Sequence, residues 1–207
     1  MTTFPIGGTA PDSQGLDRTH DRIAQRLLSG AANARSPDAV LFGALVASRA
    51  CRDELALLGL SRSQLSGLLA RQFPHLPASD ADAHAPAFVA PILPPAHATF
   101  VAALHARLMR DAHPAVDGHD ADCLASIIAH ACLRPDHLWR DLGLDGRGAV
   151  SAMLDRYFPA LAARNIAHLR WKKFLAQEVA ASLGMPPAPA PGCPGCEDFG
   201  FCFPARR

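Results

Sequence analysis

The sequence predicts an all-α protein. Apolar residues recur at helical spacing in nearly every ordered stretch, helix-starting and helix-stopping residues punctuate those stretches, and no stretch alternates as a half-buried strand would. With 207 residues, 49% hydrophobic and 19% charged, the chain is long and apolar enough to fold round a core.

Residues 1–16 are rich in Gly, Pro and Thr and read as a mobile N-terminus. A first helix is expected over about 17–29. Ser36-Pro37-Asp38 starts the next, with Ser36 as N-cap and Pro37 at the first helical position. Its apolar stripe runs through Leu41, Leu45, Ser48, Cys51, Leu55 and Leu58. Ser61-x-x-Gln64 is a capping box for a helix that ends at Phe73-Pro74. Proline then dominates, so 77–96 reads as a linker between one helical half (17–76) and a second (97–184). Helices resume over about 97–110 and 120–133, where Leu124, Ile127, Ile128 and Ala131 share a face. Shorter ones follow near 136–141 and 149–157, and a last long helix spans about 165–183, its apolar set including Ile166, Leu169, Phe174, Val179 and Leu183.

The two halves echo each other. Ala50-Cys51, Leu58-Gly59-Leu60 and Phe73-Pro74-x-Leu76 recur as Ala131-Cys132, Leu142-Gly143-Leu144 and Phe158-Pro159-x-Leu161. Each unit reads as helix, glycine turn, helix, proline stop. A helical bundle built from two pseudo-repeated hairpins about a pseudo-twofold axis is the architecture this pattern predicts.

Residues 185–207 form a different kind of segment. Cys193, Cys196 and Cys202 make a C-x2-C-x5-C run set among prolines and glycines that forbid a continuous helix and allow tight turns. Such a loop can aim several thiolates at one centre, which makes the three cysteines candidate ligands of a metal ion or an iron–sulfur cluster. Both centres usually take four protein ligands, so spacing alone does not choose between them, and the fourth position is filled from elsewhere in the chain, by a partner or by the bound species itself. A zinc-stabilised helical adaptor and a thiol-redox protein using Cys193 and Cys196 are the rival readings. With six prolines between Pro186 and Pro204 and few core-forming residues, the tail is expected to be disordered until metal orders it.

Other classes are excluded. A net charge of +1 leaves no nucleic-acid footprint. No run of 18 apolar residues predicts a membrane span. The first residues carry neither a basic nor an apolar secretory region, so a cytoplasmic, reducing location is expected and structural disulfides are not. No phosphate loop, dinucleotide fingerprint or catalytic triad is present, which suggests a carrier rather than an enzyme. The ten histidines are scattered, with no helical metal-binding pair.

The second half resembles the NifQ family of nitrogen-fixation proteins. The resemblance rests on Ile128-Ala129-His130-Ala131-Cys132, Arg134-Pro135-Asp136-His137-Leu138-Trp139-Arg140-Asp141-Leu142-Gly143-Leu144, Phe158-Pro159-x-Leu161 with Asn165, Arg170-Trp171-Lys172-Lys173-Phe174 and the cysteine tail. It is dense over about 120–204 and loose before. It implies an iron–sulfur cluster that acquires molybdenum, and delivery of that metal, as a metallochaperone, to assembly of the nitrogenase iron–molybdenum cofactor. The nitrogenase iron protein and the cofactor scaffold complex are the implied partners. The family tail is C-x4-C-x2-C-x5-C, and here Ala188 stands where its first cysteine would be. Three thiolates suit a cubane with one open corner for the incoming metal; a degenerate copy that has lost its cluster is the competing reading.

Several further residues have two readings each. Cys132, His130 and His137 are candidates for the fourth ligand, or a buried thiol and two core or capping histidines. Cys51 and Cys123 read as inert. Trp139 and Trp171 read as core anchors. Arg170, Lys172 and Lys173 form either a basic face for an oxyanion or acidic partner, or a solvated helix face. Glu197 and Asp198 offer hard oxygen ligands or simply solubility.

Overall fold

In the computed structural model, which describes residues 13–77 and 92–204, every regular element is helical and no strand is present among the described residues. Helices α1 (Ser13–Ser29) and α2 (Pro37–Ala50) pack together. A 3-10 turn at Leu55–Leu58 leads to α3 (Arg62–Gln72), and α4 (Pro95–Arg110) packs along α5 (Gly118–Ala131). Then come α6 (Leu138–Leu142), α7 (Arg147–Tyr157), the single turn α8 (Pro159–Ala162), α9 (Trp171–Ser182), which packs on α4, and in the tail a 3-10 turn (Cys193–Gly195) and the single turn α10 (Phe199–Cys202). The N-terminal segment 1–12 and most of the proline-rich linker, 78–91, lie outside the described residues, as do 205–207.

Helix α5 is the centre. The expected stripe of Leu124, Ile127, Ile128 and Ala131 is buried, but so are Ala121, Cys123, Ala125 and Ala129. A helix apolar all round is surrounded rather than one-faced. Phe42, Leu45 and Val46 of α2, Leu68 of α3, Leu104 and Leu108 of α4, Leu154 and Tyr157 of α7, and Leu175 of α9 complete the core.

Local chemistry sets the ends. Ser61 and Gln64 form the expected capping box, Gln64 N donating to Ser61 Oγ (3.1 Å) and Ser61 N to Gln64 Oε1 (2.9 Å). Ser36 is the N-cap of α2 with Pro37 next, although its side chain makes no capping bond. The stripe through Leu55 and Leu58 does not stay on one helix. Helix α2 stops at Ala50, where Glu54 N bonds to Arg49 O (2.9 Å) and Asp53 N to Ala50 O (3.2 Å), with Asp53 left-handed at φ 56°. That double closure usually has glycine at the left-handed site. Likewise the last helix begins at Trp171, not near Asn165. Asn165 folds over its own turn, accepting from Leu169 N (2.8 Å) and donating to Leu169 O (3.0 Å), and His168 is left-handed at φ 49°. Ile166, expected on the apolar face, is 83% exposed. Pro159 restarts a helical turn rather than only ending one.

The two hairpins, 37–73 and 118–158, have closely matched backbones. Cys51 and Cys132 follow their helices at φ/ψ −65°/−10° and −69°/−12°. Gly59 and Gly143 are both left-handed, at φ 71° and 68°. Phe73 and Phe158 end their second helices at −132°/58° and −137°/53°. Each turn glycine faces the other hairpin's first helix: a Cβ on Gly59 would lie 1.9 Å from His130 Nδ1, and one on Gly143 would lie 2.3 Å from Ser48 Cβ. Arginines cross in both directions, Arg49 Nη2 donating to Asp141 O and Arg134 Nη1 to Leu57 O (3.0 Å).

The tail has a defined path. After Gly184, left-handed at φ 66°, residues 183–189 run exposed, then Ala190 and Cys193 are buried at 0% and 7%. Gly192 N donates to Cys132 O (3.0 Å). A Cβ on Gly192 would sit 1.9 Å from Arg134 O, and one on Gly195 2.5 Å from Pro135 Cβ. The segment expected to stay disordered until metal orders it, for want of core-forming side chains, is docked by glycines pressed against the Arg134–Pro135 backbone.

Candidate metal centre

The site is built on a buried cation. Lys172, 6% exposed, donates from Nζ to Arg134 O (2.8 Å), to Asp136 O and to the Asp141 carboxylate. Three acceptors satisfy its three donors, which is how an ammonium tolerates burial. Asp141 also accepts from Arg134 Nε (3.3 Å). Lys172 thereby fixes the Arg134–Asp141 stretch, the ledge that receives the tail. Of the basic face expected at Arg170, Lys172 and Lys173, Lys172 is therefore internal rather than solvated.

Above the ledge is one cavity. Cys193, Cys196 and Cys202 all line it, together with Asp136, His137, Leu138, Trp139, Arg147, Val150, Arg170, Trp171, Lys172, Lys173, Asp198, Phe199 and Phe203. The chain has two lysines, and both are there. Arg170 caps α9; its Nη1 is 2.7 Å from Asp198 Oδ2, its guanidinium carbon lies 5.0 Å from the centre of the Phe201 ring, and its Nε is buried with no hydrogen-bond partner. Lys173 Nζ donates to Cys202 O (2.5 Å) and lies 5.1 Å from the centre of the Phe203 ring. Among the described residues, no group of three or more His, Cys, Asp or Glu is placed to hold a metal ion as it stands. The three thiols share a cavity without converging on a point.

Burial pushes the Cys193 thiol up, with the neighbouring Cys196 and Cys202 adding to the push and Lys172 opposing it. Cys132 lies fully buried beneath, its thiol pushed up to about 12 by burial, close enough to Cys193 for their charges to interact. It does not line the cavity. Cys123 is also buried, its thiol pushed up to about 11 by desolvation, and Cys51 sits half-buried with its Sγ 3.5 Å from Ser48 O.

The two histidines separate. His130 is turned away, its Nδ1 2.9 Å from Ser126 O, its ring against Gly59, its pKa lowered by desolvation. It is a core residue and does not reach the cavity. His137 lines the cavity, stacked on Trp139 at 6.3 Å and 11°, with Nε2 3.3 Å from Glu197 Oε1 and 3.2 Å from Asp198 Oδ2. Glu197 also meets Arg140 Nη1 at 2.9 Å. Trp139 and Trp171, expected to anchor the core, are half-buried in the cavity wall, Trp171 Nε1 donating to Ser151 Oγ (3.2 Å). Arg147, Asp136 and Phe199 also line the cavity; Asp136, beside His137, and Phe199, within the cysteine tail, had a signal in the sequence, and Arg147 had none.

A family model described as NifQ matches residues 40–204. The chain is 44% identical over 83 residues to protein NifQ of Azotobacter vinelandii, covering 40% of this chain and 43% of that protein. It is 44% identical over 79 residues to a NifQ homolog of Sinorhizobium fredii, covering 38% and 34%, and 36% identical over 84 residues to protein NifQ of Rhodobacter capsulatus, covering 41% and 47%. The matched stretch thus spans less than half the length of these curated relatives. No solved structure matches.

Proposed function

Since the chain belongs to the NifQ family, we propose that it carries molybdenum, bound through an iron–sulfur cluster, and donates it for assembly of the nitrogenase iron–molybdenum cofactor. One observation carries this reading: the three tail thiols line a single, largely apolar cavity that also holds Arg147, Arg170 and Lys173. Soft thiolates suit iron and sulfide, while Arg147, Arg170 and Lys173 suit an oxyanion such as molybdate. The buried, unpaired Arg170 Nε–H is a donor in want of an acceptor, which an oxyanion or a cluster sulfide supplies.

The donor set fits a cluster in kind, and loop closure must bring it together. Exposed residues 183–189 give the cysteine loop slack to close. Closure requires deprotonation of thiols such as Cys193, so loading releases protons and is favoured as pH rises. We read the chain as a carrier rather than an enzyme, acting in the cytoplasm and docking with the nitrogenase iron protein and the cofactor scaffold complex. No helix among the described residues is long and apolar enough to cross a membrane. The matched caps and crossed arginines of the two hairpins support a pseudo-repeated scaffold, with the tail grafted on its second copy.

Order of loading tests the function. Molybdate titrated into metal-free protein and into protein reconstituted with ferrous iron and sulfide, then desalted, should be retained only by the second. Stoichiometric molybdenum without iron makes the cavity a plain oxyanion pocket and refutes the cluster-bound carrier.

A further inference from the structure

Three thiols leave a four-ligand centre one ligand short. The cavity and its surroundings offer few side chains to complete it. Cys132 lies sealed beneath the cavity and does not line it. His130 is committed to Ser126 O and to the Gly59 turn. Asp198 is paired with Arg170 and Asp136 with Arg140, and both offer hard oxygen where the other ligands are soft.

We infer that His137 is the fourth protein ligand of the centre held by Cys193, Cys196 and Cys202, and that it binds through Nδ1. The inference rests on the metal reading above. His137 lines the same cavity as the three thiols. Its ring lies parallel to that of Trp139, the centres 6.3 Å apart. Its Nε2 faces Glu197 and Asp198, two carboxylates that lie between Cys196 and Cys202 in the loop. Carboxylates accept, so they keep a proton on Nε2 and leave the lone pair on Nδ1, which makes no hydrogen bond among the described residues. An imidazole whose far nitrogen is hydrogen-bonded to a carboxylate is the usual preparation of a histidine for metal. The backbone delivers it as well: Gly195 rests on Pro135, two residues before His137, so the loop that carries the thiols docks on the strand of chain that carries the imidazole.

A neutral imidazole in place of a fourth thiolate leaves the centre one negative charge lighter and raises its reduction potential. It also sets one ligand on the Arg134–Asp141 ledge and three on the loop that docks against it.

The full-length chain, loaded anaerobically with ferrous iron and sulfide, tests this by pulsed electron paramagnetic resonance in the paramagnetic oxidation state, with natural-abundance and 15N-labelled histidine. The expected spectrum contains one histidine-nitrogen coupling that shifts with the label. His137→Ala should abolish it. His137→Cys should bind iron fully, show no nitrogen coupling and have a lower midpoint potential; because it keeps a metal-binding side chain, it carries the test if the alanine variant fails to retain its helical circular dichroism. A fully loaded wild-type cluster without histidine coupling, or a coupling that survives in His137→Cys, overturns the inference and leaves the metal reading standing. Failure of the wild-type chain to bind iron overturns the metal reading and the inference with it.

Discussion

The hairpins 37–73 and 118–158 share their helix-end, turn-glycine and Phe-Pro backbone conformations in the same order, yet differ most in the connection from first helix to turn. From helix end to turn glycine the chain takes eight steps in the first, Cys51 to Gly59, and eleven in the second, Cys132 to Gly143. The shorter path is a Schellman closure and a 3-10 turn. The longer one carries Arg134, Pro135, Asp136 and His137, the ledge under the tail and one wall of the cavity. The end cysteines differ with it: Cys51 is half-buried, while Cys132 is sealed under Gly192. The difference isolates what the second hairpin adds, a surface shaped to receive a glycine-rich loop.

If that contrast is right, the largest penalty should come from the cation that holds the longer path. Lys172→Met removes the ammonium that bridges two carbonyls and the buried Asp141. Breaking one side of a buried pair costs about 3–5 kcal/mol. In the first hairpin, Glu54→Ala removes the partly exposed partner of Arg49 and should cost about 1 kcal/mol or less. Urea unfolding of both variants measures the gap, and equal losses would break the comparison.

Glycine substitutions sharpen it. Gly59→Ala and Gly143→Ala each force a left-handed alanine, costing about 1–3 kcal/mol, and drive a Cβ into the facing helix. Both should lower stability by similar amounts. Gly192→Ala puts its Cβ onto Arg134 O and should release the tail, with loss of iron binding and little change in the unfolding midpoint of the helices.

The smallest effect lies where the hairpins clasp. Asp38, at the start of α2, accepts from Arg156 Nε (2.8 Å) and Tyr157 Oη (2.7 Å) at the end of α7. The Arg156 hydrogen bond holds its carboxyl below the ordinary 3.8, more than offsetting burial. A depressed carboxylate pKa contributes stability that is present above 3.8 and lost as pH falls through the lower folded value. Asp38→Asn should therefore be less stable than the wild type at pH 6, and the gap should close on acidification. A gap that widens in acid contradicts the assignment.

Local chemistry was legible in the sequence. Ser61 with Gln64, Gly59, Gly143 and Pro37 act where they stand because their partners are three or four residues away. Asp53 and His168 were not legible, since neither residue type announces a left-handed backbone as glycine does. Long-range satisfaction was hidden too. Lys172 reads as a solvated lysine until its acceptors, 31 to 38 residues away, fold over it. The candidate thiols were visible from spacing, but the histidine that shares their cavity was not separable from His130 by sequence. Only the turn of the chain after Cys132 points one ring into the core and the other at the loop.

The central claim is that Cys193, Cys196 and Cys202 act together on the second hairpin while Cys51, at the matching point of the first, does not. Iron and sulfide bound after anaerobic reconstitution, measured for single Cys→Ser variants at 51, 193, 196 and 202, test it most directly. The account predicts wild-type loading for Cys51→Ser and loss of the cluster in the other three. Full iron retention by Cys196→Ser, or loss in Cys51→Ser equal to that in the tail variants, would contradict it.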